Sequence, residues 1–120
     1  MATPTVLYFG RDLFLSGPIR QAAMTSGWSF RQAEPTVPVP SDTGDPLVAV
    51  FDLGSLKEDV FPLTQAIRQH HGKTVVVGIS FHTDTESHER GKKAGLDRII
   101  HRSRLGPEFK AVLDEALPAS

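Results

Sequence analysis

Two apolar stretches of the chain end in polar residues that could take part in chemistry. Leu47 to Phe51 leads to Asp52, and Thr74 to Ile79 leads to Ser80. An apolar run without polar alternation is typical of a parallel strand covered on both faces, and ligands bind at the carboxyl edge of such sheets. A carboxylate at that edge needs a cation or hydrogen-bond donors, and a hydroxyl is one such donor. The pattern therefore predicts a polar site around Asp52.

The elements that must position this site alternate between strands and helices. Strands are predicted by β-prone runs, and helices by the helical spacing of apolar residues. In the first half of the chain these are a strand Thr5 to Phe9, a helix Gly17 to Ser26, an edge strand Trp28 to Arg31 and the Asp52 strand. The second half contains a helix Asp59 to His71, a strand Thr74 to Ser80, a polar helix Thr85 to Ala94, a strand Arg98 to His101 and a helix from Pro107. Such alternation predicts a doubly wound α/β fold with right-handed crossovers.

One connection departs from this alternation. The stretch from Ala33 to Pro46 contains four prolines, at positions 35, 38, 40 and 46. Each proline inside a helix costs about 3 kcal/mol, because it lacks the backbone N–H and its ring clashes with the preceding turn. We therefore predict a proline-rich loop in place of a helix between the second and third strands.

Composition narrows the classes of function. The 120 residues include 13 basic and 14 acidic side chains, and this balance gives no electrostatic reason to expect a nucleic acid or an anionic membrane as partner. The absence of cysteine excludes disulfides, thiolate metal sites and cysteine nucleophiles. Neither a secretion signal nor a membrane-spanning run is evident, so we expect one cytoplasmic domain over residues 1 to 120.

With this order of elements, the chain resembles the receiver domains of bacterial response regulators over essentially its whole length. Asp52 stands where that family has its phosphate-accepting aspartate, Ser80 where it has a serine or threonine, and Arg102 where it has a lysine. The segment from Ala94 to Ile100 is similar to the family's approach to that lysine. We accordingly predict a five-stranded parallel sheet in the order 2-1-3-4-5, with helices on both faces.

The chain departs from the family where the family holds Mg²⁺. Receiver domains use two acids after the first strand to bind the metal that neutralises the phosphoryl group. Those positions are Gly10 and Arg11 here, with Asp12 following, and a guanidinium repels a cation. These residues indicate a pseudo-receiver, with no catalytic residue, metal or cofactor, that docks onto another signalling protein. The alternatives are an active receiver phosphorylated on Asp52 by a histidine kinase, and a flavodoxin-like binder of a small ligand.

An interaction surface is predicted beside the missing helix. Trp28 and Phe30 on the edge strand need to be covered by Val37 and Val39 of the loop or by another chain. A homodimer is one such assembly, because closed symmetric pairs are the commonest oligomers.

The unphosphorylated Asp52 is expected to have an internal partner. Arg11 and Arg102 are both permanently charged, and we predict that at least one of them reaches the carboxylate, with Ser80 donating a further hydrogen bond. Another hypothesis is a metal site, formed by residues after the fourth strand together with a histidine of the fifth. Its ligands would be His82, Asp84, His88 and His101, whose spacing matches no recognised ligand pattern.

Overall fold

The protein is described by a computed structural model that covers residues 4–10, 13–33, 47–53, 60–70, 74–80, 89, 92–93 and 95–116. Five strands and three α-helices are described within these ranges. In chain order they are β1 (Thr5–Phe9), α1 (Leu13–Thr25), β2 (Ser29–Ala33), β3 (Leu47–Asp52), α2 (Val60–His70), β4 (Thr74–Ser80), β5 (Arg98–His101), a 3-10 turn (Arg102–Arg104) and α3 (Leu105–Ala116). None of the described helices is long and apolar enough to cross a bilayer.

The strands form one parallel sheet in the order β2-β1-β3-β4-β5, which confirms the predicted topology. Strand β3 lies at the centre, paired with β1 on one side and β4 on the other. Every residue of β1 and β3 is buried, as expected of strands covered on both faces. The carboxyl ends of β1, β3 and β4 meet at one edge, and this edge carries Asp52 and Ser80.

Side chains alternate between the two faces of the sheet and build two apolar clusters. On one face, Val6, Tyr8, Val48 and Val50 belong to a cluster that includes residues of α1 and α3. The opposite cluster takes the intervening strand residues together with residues of α2, and its buried members are Leu7, Phe9, Leu47, Ala49, Phe51, Leu53, Leu63, Ile67 and Val76. The alternation therefore assigns Asp52, two residues after Val50, to the face of α1 and α3.

Helix α1 begins four residues before the predicted start at Gly17, and Pro18 lies inside it. Proline usually stands in the first turn of a helix, but here the burial of neighbouring apolar side chains favours a helix that continues through Pro18. Leu15 and Ile19, four residues apart on the same face, are both buried in the core, which favours helix through the proline. Gly17 and Pro18 themselves are exposed, so the lost backbone hydrogen bond lies on the solvent side.

The last helix also begins earlier than Pro107. The 3-10 turn leads directly into α3 at Leu105, and Pro107 is its third residue, where the absent N–H would have no helical partner. Strand β2 covers Ser29–Ala33 and not Trp28 to Arg31, so the first residue of the predicted proline-rich loop belongs to the strand. The rest of that loop, residues 34–46, lies outside the described residues. So does most of the predicted helix from Thr85 to Ala94.

A polar clamp, formed by Asp97, Val76 and Arg68, joins the start of β4 to the residue before β5. Asp97 donates its backbone N–H to the carbonyl of Val76 at 2.9 Å, and its carboxylate accepts the N–H of Val76 at 2.8 Å. The same carboxylate oxygen accepts a hydrogen bond from Arg68 of α2 at 3.1 Å. Since β4 and β5 pair only from Val77 and Arg98 onward, Asp97 extends their ladder by one residue.

Candidate functional site

Asp52 is the last residue of β3, at the carboxyl edge of the sheet. It is 1% exposed, so its carboxylate is almost entirely withdrawn from water. In the register of the sheet it stands beside Ile79 of β4. An ionised group at this depth needs polar partners, and Asp52 is not without one. The structure therefore confirms that Asp52 is at the predicted edge, in a central and buried position.

The neighbouring strand ends carry the other two residues of the resemblance. Ser80 ends β4 and is 4% exposed, and it stands opposite His101 of β5. Arg102 follows His101 as the first residue of the 3-10 turn, with an exposed side chain. The sheet thus brings Asp52 and Ser80 to one edge, with Arg102 directly after the neighbouring strand. Pairing of Asp52 with Arg102 or Arg11, and the Ser80 hydrogen bond, stay predictions, and Arg11 and Asp12 lie outside the described residues.

Gly10 follows β1 at the same edge, and the space where its side chain would begin is already filled. A Cβ atom there would lie 2.7 Å from the hydroxyl oxygen of Tyr8, 2.9 Å from Tyr8 Cζ and 3.2 Å from Asp52 Cβ. Separations below 3.0 Å are too short for a carbon atom, and the fully buried Tyr8 ring has little room to move. The Tyr8 hydroxyl therefore packs against Gly10 beside Asp52, and only glycine at position 10 leaves enough room for it.

The backbone of Gly10 is held by a hydrogen bond from β2, the strand next to β1 at the edge of the sheet. Gln32, near the end of β2, donates its side-chain N–H to the carbonyl oxygen of Gly10 at 2.8 Å. Gln32 is also in register with Tyr8, so one residue of β2 lies beside both. This hydrogen bond restrains the turn that leaves β1 and keeps Gly10 against the Tyr8 hydroxyl.

The chemistry available beside Asp52 follows from these contacts. A magnesium site needs several oxygen ligands with enough negative charge, usually carboxylates. Tyr8 contributes a neutral hydroxyl, and Gly10 contributes no side chain. Among the described residues, no group of three or more histidine, aspartate or glutamate side chains is arranged to hold a metal ion. The residues described around Asp52 therefore suit hydrogen bonding better than cation binding.

Tyr8 and Gln32 were missed as site residues by the analysis of the sequence. The alternation of β1 does contain a signal, because Tyr8 and Gly10 are two residues apart and must share a face of the sheet. That spacing alone does not show which way the tyrosine ring leans along the strand. Nothing in the sequence indicated Gln32, because its hydrogen bond to Gly10 depends on the parallel register of β2 with β1.

The predicted interaction surface is only partly open to a partner. Trp28 is 4% exposed and belongs to the cluster that includes Ile19 and Ala23 of α1, so its burial does not require a second chain. The sequence predicted that Val37 and Val39 or another chain would cover Trp28. Its packing in this cluster leaves little of its surface for a partner, and the interaction surface stays a prediction. Phe30 is half-buried against the same cluster. Val37 and Val39 lie outside the described residues.

Of the four hypothetical metal ligands, only His101 is among the described residues. Its Nδ1 accepts the backbone N–H of Ser103 at 3.3 Å and lies 2.7 Å from the Ser103 hydroxyl. That nitrogen caps the 3-10 turn. His82, Asp84 and His88 lie outside the described residues, and the metal site stays a hypothesis.

No family model matches the sequence, and no curated protein is similar to it. Solved structures do share its fold. The signal receiver domain of an HD domain-containing protein from Pseudomonas fluorescens superposes with a TM-score of 0.76 at 16% identity, covering 98% of this chain and 88% of that one. The chemotaxis protein CheY4 of Vibrio cholerae gives 0.73 at 14% identity, covering 97% and 100%.

A response regulator from Thermotoga maritima gives a TM-score of 0.66 at 19% identity, covering 93% of this chain and 96% of that one. Together with the strand order, these likenesses establish that the chain has the receiver fold. At such low identity they establish the fold alone, so the activity must be argued from the residues at the sheet edge.

Proposed function

We propose that this chain is an atypical receiver-like signalling module that acts by binding another protein, without metal-dependent phosphorylation of Asp52. The observation that carries the proposal is the Tyr8 hydroxyl, which lies where the side chain of residue 10 would begin. In the family that the chain resembles, an acid at this position helps to hold Mg²⁺. Tyrosine at position 8 and an acid at position 10 are sterically incompatible without a shift of the buried ring.

The consequence for phosphoryl transfer is electrostatic. A phosphoryl group that approaches a carboxylate brings negative charge toward negative charge, and most of the catalysis consists of neutralising it. A neutral hydroxyl and a glycine supply no carboxylate to bind the metal that would do so. We therefore infer that Asp52 serves the module as a buried, internally partnered acid, and that the module itself is not an enzyme.

The receiver fold supports a role in signalling, because the structures that share it include response regulators and a chemotaxis protein. We propose that the module acts in the cytoplasm, with another signalling protein as its partner and a homodimer as the alternative assembly. Trp28, directly before β2, is buried, so the half-buried Phe30 of β2 is our candidate for apolar contact on that side.

An active receiver is the second candidate, and one observation favours it. Asp52 and Ser80 occupy neighbouring strand ends, and Arg102 follows the next strand, in the places where the family has its acceptor, hydroxyl and cation. This arrangement would be compatible with a phosphoryl group on Asp52 if a metal or another cation were supplied from elsewhere.

Intact-mass spectrometry separates the two candidates. After incubation with acetyl phosphate and millimolar Mg²⁺, we expect the wild-type chain to keep its unmodified mass, because charge neutralisation at Asp52 is inadequate. An active response regulator treated in parallel serves as the positive control for the phosphodonor. A gain of one phosphoryl group that disappears in Asp52→Asn would refute the proposal and establish the active receiver. The absence of a phosphoryl gain in both the wild type and Asp52→Asn, each compared with its own untreated mass, supports it.

A further inference from the structure

The 3-10 turn between β5 and α3 presents a serine between two arginines. Arg102, Ser103 and Arg104 are all exposed, and they lead directly into the twelve residues of α3. An open groove of about 460 Å³ adjoins the turn, and it is lined by Ile99, His101, Ser103, Arg104 and Glu108. The groove gives a reactant access to the Ser103 hydroxyl from solvent.

The Ser103 hydroxyl is oriented by His101. The backbone N–H of Ser103 donates to His101 Nδ1 at 3.3 Å. The hydroxyl oxygen lies 2.7 Å from the same nitrogen, so the hydroxyl and the imidazole share a hydrogen bond that holds the Ser103 side chain in the turn. The groove leaves the hydroxyl oxygen open to an incoming electrophile.

Arg104 is available to receive a phosphate. Its Nη1 lies 3.7 Å from a carboxylate oxygen of Glu108, and the Arg104 side chain is 74% exposed. A pair at this separation one helical turn apart contributes only a few tenths of a kcal/mol. A phosphate on the neighbouring residue carries up to two charges and three acceptor oxygens, so it is a stronger partner for the guanidinium than Glu108 is.

From these contacts we infer that Ser103 is a phosphorylation site for a serine/threonine protein kinase that recognises arginine beside the serine. The Ser103 Oγ attacks the γ-phosphorus of ATP, and the bond from that phosphorus to the β,γ-bridging oxygen breaks. ADP leaves with the bonding electron pair, and the hydroxyl proton passes to the catalytic aspartate of the kinase. The product carries a phosphate dianion two residues before α3.

The modification would change the charge pattern of the groove. Phosphate at Ser103 draws Arg104 away from Glu108 and adds negative charge at the amino end of α3, where the helix dipole favours it. The surface beside β5 then becomes more acidic, which alters its match to a charged partner. This inference is independent of the fate of Asp52.

The full chain incubated with ATP, Mg²⁺ and the catalytic subunit of an arginine-directed serine/threonine kinase provides the test. We expect a gain of one phosphoryl group that maps to Ser103 by peptide sequencing and is lost in Ser103→Ala. Arg104→Ala should slow the reaction several-fold, because it removes one of the two recognition charges. The control Ser29→Ala, at an exposed serine of β2 without an adjacent arginine, should be modified at the wild-type rate.

Hydroxylamine distinguishes this site from Asp52, because an acyl phosphate is cleaved by hydroxylamine and a serine phosphate is not. Absence of incorporation into the folded chain, or the same mass gain in Ser103→Ala, would overturn the inference. A second measurement places phosphoserine at position 103 by genetic encoding and follows its ³¹P signal with pH. The titration should shift on Arg104→Ala, and an unchanged titration would contradict the pairing of phosphate with Arg104.

Discussion

Gly10→Ala is expected to destabilise the fold by about 1 to 3 kcal/mol, although it adds a single methyl group. The new Cβ would lie 2.7 Å from the Tyr8 hydroxyl oxygen and 2.9 Å from its Cζ, and the ring is fully buried. Gly10→Asp should be worse, because it adds a second carboxylate beside the buried Asp52. Urea unfolding followed by tryptophan fluorescence or circular dichroism measures both changes, with the midpoint and the slope reported separately.

The control is Gly17→Ala in α1, where an added Cβ would meet no atom within 4 Å apart from its own chain neighbours and the backbone of its own helix. Glycine is unfavourable inside a helix, but a Cβ directly before Pro18 disfavours the helical conformation. Because these two effects oppose each other, the variant should change stability by less than about 1 kcal/mol. A clear loss at position 10 beside a small change at position 17 would attribute the loss to the surroundings of Gly10. A neutral Gly10→Ala would mean that the ring yields readily, and the steric basis of the proposed function would be lost.

A double-mutant cycle identifies Tyr8 as the obstructing group. In a Tyr8→Leu background, Gly10→Ala should lose most of its effect, giving a coupling energy of about 1 to 2 kcal/mol. Tyr8→Phe should relieve only part of it, because Cζ stays 2.9 Å from the added atom. Additive effects of the two substitutions would show that the strain at Gly10 comes from another neighbour.

Asp97→Ala is the second substitution with a large expected effect, a loss of about 2 to 3 kcal/mol. Its carboxylate accepts the N–H of Val76, a fully buried residue, so removing it leaves a backbone donor without its partner. It also removes the ion pair with Arg68 of α2, which keeps its hydrogen bond to the Gly95 carbonyl. The loss should reach the ladder between β4 and β5, and hydrogen exchange of the amides near Val77 should accelerate along with the fall in unfolding free energy.

Two variants separate the backbone contact from the ion pair. Asp97→Asn keeps an acceptor for Val76 and should lose clearly less than Asp97→Ala. Arg68→Ala removes the ion pair, in which both side chains are about two-fifths exposed, and the exposed hydrogen bond from Arg68 to the Gly95 carbonyl at 2.9 Å. It should lose at most about 1 kcal/mol. If Arg68→Ala and Asp97→Ala proved equal, the ion pair and not the Val76 contact would be the source of stability.

The two expected effects differ in what they say about function. Asp97 lies at the amino end of β5, away from Asp52, so its substitution should lower stability without giving Asp52 any new chemistry. Gly10 lies beside Asp52 itself, so the space around Gly10 decides whether an acidic side chain that could bind a metal fits at position 10. A stability loss at both positions, with no phosphoryl gain at Asp52, is the combined result that the proposed function predicts.

Much of the fold was determined by the sequence alone. Strands β1, β4 and β5 begin and end at the predicted residues, because each is an apolar, β-prone run bounded by glycine or polar residues. The position of Asp52 at the edge of a central strand followed in the same way. Local pattern suffices for these features, since burial on both faces requires an unbroken apolar run.

Only the tertiary structure decided the features that depend on contacts between elements. The start of α1 was set by the burial of Leu15 and Ile19, against the local preference of Pro18. Trp28 is buried in the cluster that includes α1, although the sequence predicted its cover from the proline-rich loop or from another chain. The meeting of Tyr8, Gly10 and Asp52 depends on how a ring leans along its strand and on which strand lies beside it, and neither is encoded in the spacing of residues along one strand.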